Sequence, residues 1–249
     1  MKNNILFCLV FTTIINISCS PKLHISHGET LQIEEATSNI YVLSKYEVLP
    51  QNTTVLGEIK TKGNFFTSER FRVNQSIVLI KEGAKQLNAN AVKIEQIKFP
   101  GPFNSKSYDI TALALRIDHV TSQIFKTVSE TNNKNSRYIK LYRPNILFGS
   151  GISYPVYINN AFVCGLDNDN KITIEISDEI REIYLQIESY GNLYKVPIIF
   201  NKSSITHVKC LVSIDGSPKV NLPDYEIGEK EYSIIKNTPS PPDTTFVDL

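Results

Sequence analysis

The chain has no tryptophan, one methionine and four cysteines in 249 residues, and its charges nearly cancel, 26 basic against 25 acidic. The near-neutral balance provides no electrostatic pull toward nucleic acid, whose phosphates must be neutralised by excess lysine and arginine. It also provides no polybasic patch for an anionic membrane surface. No Gly-x-Ser-x-Gly elbow, phosphate-cradling loop or dinucleotide fingerprint is present, so the usual signatures of hydrolases and nucleotide enzymes are absent. One apolar core, Ile5 to Ile15, is long enough to notice, and its eleven residues fall short of the ~20 that a spanning helix needs.

That segment reads as an address. Lys2 gives a positive start, Ile5 to Ile15 an apolar core, and Ile17-Ser18-Cys19 a small-residue cleavage site directly before a cysteine. The pattern resembles a bacterial lipoprotein signal over residues 1–18, with Cys19 as the lipidation site. An ordinary signal peptide cut near Ser18 or Ser20 is the alternative, since Asn16 stands where such signals carry an apolar residue. Removing residues 1–18 removes Lys2 alone among the charged side chains, so any membrane association of the rest is expected to run through covalent lipid. An Asn-, Ile- and Lys-rich chain resembles proteins of the Bacteroidota. Ser20-Pro21-Lys22-Leu23 lacks the acidic cluster that resembles a surface-export signal there, so the expected location is the cell envelope, on the outer membrane facing the periplasm.

With Cys8 in the signal and Cys19 acylated, Cys164 and Cys210 remain. They are a candidate disulfide or two small buried hydrophobes; an oxidising compartment permits the bond, and geometry decides it.

Residues 19–37 are polar and mixed, a tether. Residues 38–119 read as an α+β domain. Short strands around Ile40–Leu43 and Val55–Ile59 precede a change of period: Val73, Ile77, Ile80, Ala84 and Leu87 recur at helical spacing. Asn74 is the expected N-cap, with Val73 and Val78 as a hydrophobic staple, and Asn88 stands where a left-handed C-terminal residue is wanted. Gly83 would let the helix approach the sheet closely. Ala91–Ile97 and Tyr108–Ile117 supply two more strands, giving one helix packed on an antiparallel sheet.

Residues 120–137 form a linker, with no apolar residue from Ser129 to Ser136. Residues 138–223 are all strand: Val156-Tyr157-Ile158 and Ala161-Phe162-Val163 flank the turn Asn159-Asn160, and Ile172, Ile174 and Ile176 alternate with polar neighbours. Short strands with frequent turns imply a β-sandwich. Residues 224–249, ending Pro239-Ser240-Pro241-Pro242, read as a disordered tail. Within it Asp243-Thr244-Thr245 resembles an O-glycosylation acceptor.

Two family resemblances follow from these residues. Gly57-Glu58, the run Leu79 to Val92 and the strand Tyr108 to Ala114 place residues 55–117 close to a bacterial family named for heavy-metal binding. It implies a fold; the stretch carries no Cys or His before His119, so no metal is implied. Leu141-Tyr142-Arg143-Pro144, Gly149 to Gly151 and Tyr154 to Leu166 make residues 138–222 similar to an uncharacterised lipoprotein domain with a prealbumin-like sandwich.

Candidate chemistry is thin. His24 and His27, with Glu29, offer metal ligands in a tether, where a catalytic zinc site wants three fixed ones. Asp167-Asn168-Asp169-Asn170 lacks the Gly and Glu of a calcium loop and reads as a hairpin turn. His207 and Cys210 lie three apart, on opposite faces of a strand, so they form no dyad. No catalytic residue, metal ligand or cofactor is assigned. The expectation is a lipid-anchored, non-catalytic binding or assembly module that meets an envelope partner at exposed strand edges, with no nucleic acid. The alternatives are a periplasmic metal-handling protein or enzyme, which a cluster of His24, His27 and His119 would favour, and a secreted glycoprotein modified at Asn52 or Asn201; Asn74 is a third sequon.

Overall fold

The structure, a computed structural model, describes residues 22–27, 40–62, 72–101, 107–118, 125–128, 136–176, 180, 182–200 and 204–236. These residues are mainly β, with two helices and three sheets. None of the described helices is long and apolar enough to cross a membrane.

The first sheet has strands in the order β1 (Lys22–His27), β3 (Thr53–Lys62), β5 (Asp109–Ile117), β4 (Ala91–Lys98), β2 (Tyr41–Leu43). β2 runs parallel to β4 and the other pairings are antiparallel, so the sheet is mixed where an antiparallel one is expected from sequence. β1 lies inside the stretch read as a tether: six residues pair with β3, from Lys22 opposite Lys62 to His27 opposite Gly57. The alternation of β4 breaks between Ile94 and Gln96, where the register with β5 shifts.

Helix α1 (Val73–Gln86) covers this sheet with Val73, Ile77, Ile80 and Ala84, each wholly buried. An apolar side chain of this size contributes ~1.5–3 kcal/mol when fully buried. Asn88 follows at φ 55, the left-handed conformation its sequence position asks for. A Cβ added at Gly83 would stand 3.1 Å from Ile59, so the helix does sit close on β3. The N-terminus differs from expectation. Arg72 is the cap residue, and the Gln75 side chain accepts from its backbone N–H at 2.9 Å. Val78 is exposed and staples nothing.

Two further sheets share one core. One has the order β14 (Pro218–Asn221), β13 (Ile205–Val212), β7 (Arg137–Arg143), β10 (Asn170–Ile176), β6 (Phe125–Val128). The other has β12 (Asn192–Ile198), β11 (Ile183–Ser189), β8 (Tyr154–Ile158), β9 (Ala161–Leu166). Ile139, Leu141, Val156, Cys164, Ile172, Ile174, Leu185, Ile187, Val208 and Cys210 meet between them. The expected linker therefore contains a strand, β6, paired with β10. The Asn159-Asn160 hairpin matches expectation, both residues at positive φ (46 and 75), as the tight turn requires. The Asp167–Asn170 turn is no hairpin: it carries the chain from β9 in one sheet to β10 in the other.

Residues expected to be a disordered tail hold helix α2 (Tyr225–Ile234), lying against β13. Its signal is weak. Gly228 and a mostly polar run hide the spacing Tyr225, Gly228, Tyr232, Ile235 that marks one helical face. Asp243-Thr244-Thr245 lies outside the described residues.

Helix α1 joins the first sheet to the second unit. Tyr157 and Phe162 belong to the same core as Ile59 and Ile77. Asn74, the expected cap, works across this seam: its Nδ2 donates to Gly165 O at 2.8 Å and its Oδ1 accepts from Gly165 N at 2.7 Å. β9 is an edge strand, so a side-chain amide here takes the place of a neighbouring strand. Further along the seam Lys45 Nζ and the Tyr157 hydroxyl both donate to the buried Glu188 carboxylate, at 2.6 and 2.7 Å.

Candidate functional site

Strand alternation gives β7 two unlike faces. Ile139, Leu141 and Arg143 point into the shared core; Tyr138, Lys140 and Tyr142 point away from it. The register builds two rows across three strands. Thr173, Lys140 and His207 stand side by side, and next to them Lys171, Tyr142 and Lys209. Three lysines on one face repel one another. Helix α2 answers them. Lys140 Nζ donates to both oxygens of Glu229 at 2.8 and 2.7 Å, and Lys209 Nζ to Glu231 at 2.6 Å. The Tyr142 hydroxyl donates to Glu231 at 2.5 Å. The Tyr232 ring lies beneath Lys171 and Lys140, 4.9 and 5.3 Å from the ammonium groups, and its hydroxyl shares a hydrogen bond with Thr173 at 2.7 Å.

His207 sits under the helix at 2% exposure, its Nε2 2.9 Å from Glu229 Oε2. Burial holds its pKa below the ordinary histidine value, against the pull of Glu229. The neutral ring then donates Nε2–H to the carboxylate, and Nδ1 has no hydrogen-bond partner among the described residues. Burial opposes the charge on Glu229, and hydrogen bonds from Lys140 and His207 outweigh it, leaving the carboxyl below its usual range. Glu231 is lowered by Lys209 and then Tyr142. A histidine–carboxylate pair is the start of a general base, yet Tyr225 and Tyr232 are the rings beside it and Cys210 projects into the core on the other face. The arrangement is a charge-complementary joint.

Two outcomes follow for this joint. A Cβ at Gly228 would stand 2.5 Å from His207 Cβ, so Gly228→Ala is expected to lift the helix. Limited proteolysis should then cut between Tyr225 and Ile234 at least tenfold faster, with the rest of the chain unchanged. Acid acts in the same direction. The lowered histidine stabilises docking above its ordinary pKa of ~6.5 and loses that contribution as the pH falls through it. The lowered Glu229 and Glu231 lose theirs further down. The protection factors of the α2 amides, observed exchange divided into the intrinsic rate at each pH, should fall from pH 7.5 to 5.5, and more salt should add to the effect.

A second polar centre lies on the core side of β7. Arg143 is wholly buried. Its Nη1 donates to Ile152 O at 2.7 Å and Leu166 O at 3.3 Å, and its Nη2 to Gly149 O at 2.6 Å. The Tyr154 ring lies 5.1 Å from its guanidinium carbon. Burial lowers its pKa. Asp167, close by, is raised by burial despite Ser153 and Arg72, the latter 3.5 Å away. No residue at this centre carries a signal of catalysis; the arginine pins the loop between β7 and β8.

Of the candidate residues of the sequence, Cys164 and Cys210 are both buried, as free thiols, in the core between the two sheets. Burial raises both, Cys210 to about 12, which disfavours the thiolate that reactivity needs. His24 is exposed on β1, opposite Lys60, and His119 and Cys19 lie outside the described residues. Among the described residues no three His, Cys, Asp or Glu side chains gather as a metal site would need. Of the sequons, Asn74 is committed to Gly165 and Asn201 is outside the described residues. His207, Glu229 and Lys140 give no signal in the sequence because two belong to strands and one to a helix hidden in a polar tail.

No protein-family model matches the chain, and neither a curated protein nor a solved structure matches it.

Proposed function

We propose that the chain is a lipid-anchored cell-envelope protein, acylated at Cys19 on the periplasmic side of the outer membrane, acting as a non-catalytic binding or assembly module. The observation that carries this reading joins sequence to fold. A signal-like segment ends at Cys19, and β1 starts at Lys22, paired along its length with β3. A lipid on Cys19 would hold the folded body against the bilayer with only Ser20 and Pro21 between. The two sheets that share a core form, on this reading, the prealbumin-like β-sandwich that residues 138–222 resemble. The non-catalytic half is supported by how the charged groups are used: Lys140, Lys209, Glu188, Glu229 and Glu231 are all spent on joints between elements.

The test is the mass of the mature N-terminal peptide from membranes of the native host, beside a Cys19→Ser variant. A diacyl- or triacylglyceryl cysteine, lost in the variant, is expected. An unmodified N-terminus near Ser20 on a protein in the soluble fraction would overturn the anchor.

A further inference from the structure

Large apolar side chains at loop tips are costly unless something covers them. Leu147 is 94% exposed and Ile214 95%, with Phe148 at 56% and Tyr190 at 55%. They come from three separate loops, β7–β8, β13–β14 and β11–β12, and these loops meet. A Cβ on Gly149, next to Phe148, would touch Val212, and one on Gly216 would stand 3.1 Å from the Tyr190 ring. The tips are held out by a fixed base. Arg143 binds Gly149 O and Ile152 O, while the Tyr154 and Ser189 hydroxyls donate to Gly216 O at 2.8 and 3.0 Å. Asp215 beside Ile214 turns back to Ser217, accepting from its N–H and hydroxyl at 3.0 and 2.6 Å.

The first sheet brings its β1 start to the same end of the molecule. Phe99 follows β4, and its ring lies 5.1 Å from that of Tyr190. Tyr108 precedes β5, and its hydroxyl accepts from Ser153 N at 2.6 Å. β4 ends at Lys98 opposite Asp109, and β3 places Lys60 opposite Thr111. Lys22, opposite Lys62, therefore enters the first sheet at the end that carries Phe99 and Tyr108. Cys19 is three residues further, a reach of ~10 Å. Exposed Lys62 and Lys98 stand at this end as well.

We infer that Leu147, Phe148, Tyr190 and Ile214 form a membrane-insertion surface that dips into the bilayer interface beside the lipid anchor, with Lys62 and Lys98 facing anionic headgroups. Aliphatic and aromatic tips are the chemistry of an interfacial site, and two lysines beside them add a modest attraction to anionic headgroups. A diacyl- or triacylglyceryl cysteine retains the chain at the bilayer without fixing how the folded body is turned, and a second, protein-borne contact fixes orientation. The inference rests on the anchored reading for which membrane is met, but its test does not use the anchor.

The mature chain carrying Cys19→Ser, and so unlipidated, is mixed with vesicles of equimolar phosphatidylethanolamine and phosphatidylglycerol. With no native tryptophan, Leu147→Trp gives a reporter at one tip. Its emission is expected to shift to the blue with vesicles and to be quenched by brominated acyl chains. In sedimentation, Leu147→Ser/Ile214→Ser should reduce vesicle binding roughly tenfold or more; both sites are exposed, so the fold should be unaffected, as circular dichroism checks. Equal sedimentation of the parent and the double variant with an unshifted reporter would overturn the inference. So would concentration-dependent dimerisation without lipid that the double variant abolishes, since the patch would then belong to a second copy. Failure here with an acylated Cys19 in the host leaves the anchor standing; success here with an unmodified N-terminus removes the anchor alone.

Discussion

Replacing Arg143 by alanine is expected to cost about 4 kcal/mol or more, the largest loss expected of a single substitution in this protein. The cause is unusual for a buried arginine. Among the described residues no carboxylate pairs with it directly; three carbonyls, Gly149 O, Ile152 O and Leu166 O, take its protons. Removing the guanidinium therefore strands no opposite charge. It takes the arginine donor from Ile152 O and Leu166 O, a carbonyl left buried and unpaired costing ~1–3 kcal/mol, while Gly149 O keeps the Ile152 N–H at 2.9 Å, and it opens a cavity beside Tyr154. Arg143→Met fills most of the cavity without satisfying the carbonyls. A loss in Arg143→Met nearly as large as in Arg143→Ala assigns the cost to the carbonyls. Arg143→Lys should fall between wild type and methionine, since an ammonium supplies three donors without the planar fork. Urea titration followed by circular dichroism reads all three. A loss under ~1 kcal/mol for Arg143→Ala would show that water takes over these carbonyls and that the loop is held by other contacts.

The elements legible in the sequence are those whose partners lie nearby along the chain. Helix α1 is readable because Val73, Ile77, Ile80 and Ala84 repeat at a period that needs no knowledge of the sheet beneath. β10 announces itself through alternating isoleucines, and Asn159-Asn160 through the φ that only a few residues tolerate. What stays hidden depends on distant pairing. β1 and β6 are edge strands in polar stretches, defined by what they pair with rather than by their own residues. Helix α2 has a mixed face because it covers lysines, so an apolar stripe is the wrong thing to look for. Arg143 enters the sequence reading only through the Arg-Pro pair of a resemblance, and its burial follows from the carbonyls of Gly149 and Ile152 in the next loop and of Leu166 on β9, a convergence that no periodicity announces. The joint centred on His207 and Glu229 joins residues whose chemistry shows only after β7, β10 and β13 are in register.

Gly165→Ala is expected to cost about 3 kcal/mol, and the reason is the seam between α1 and β9. A Cβ at residue 165 would stand 2.7 Å from Val73 Cβ and 3.0 Å from the Ser153 hydroxyl. Both are attached close to backbone, so neither moves aside as the end of a long side chain would. The strand and helix would have to separate, and with them the Asn74 amide that pairs with both backbone groups of Gly165. A double-mutant cycle isolates the contact. Val73→Ala is a poor partner because it keeps the offending Cβ; Val73→Gly removes it. Val73→Gly alone should lose about 2–3 kcal/mol, from one buried valine and from glycine in a helix. The double variant should lose less than the sum by about 1–2 kcal/mol, since relieving the overlap requires only one of the two Cβ atoms to go. Unfolding should remain one transition throughout, because Tyr157 and Phe162 of the second unit share the core that α1 closes over the first sheet. Strict additivity, or two resolved transitions in the wild type, would mean that α1 and β9 do not meet as closely as this seam requires and that the two units fold apart.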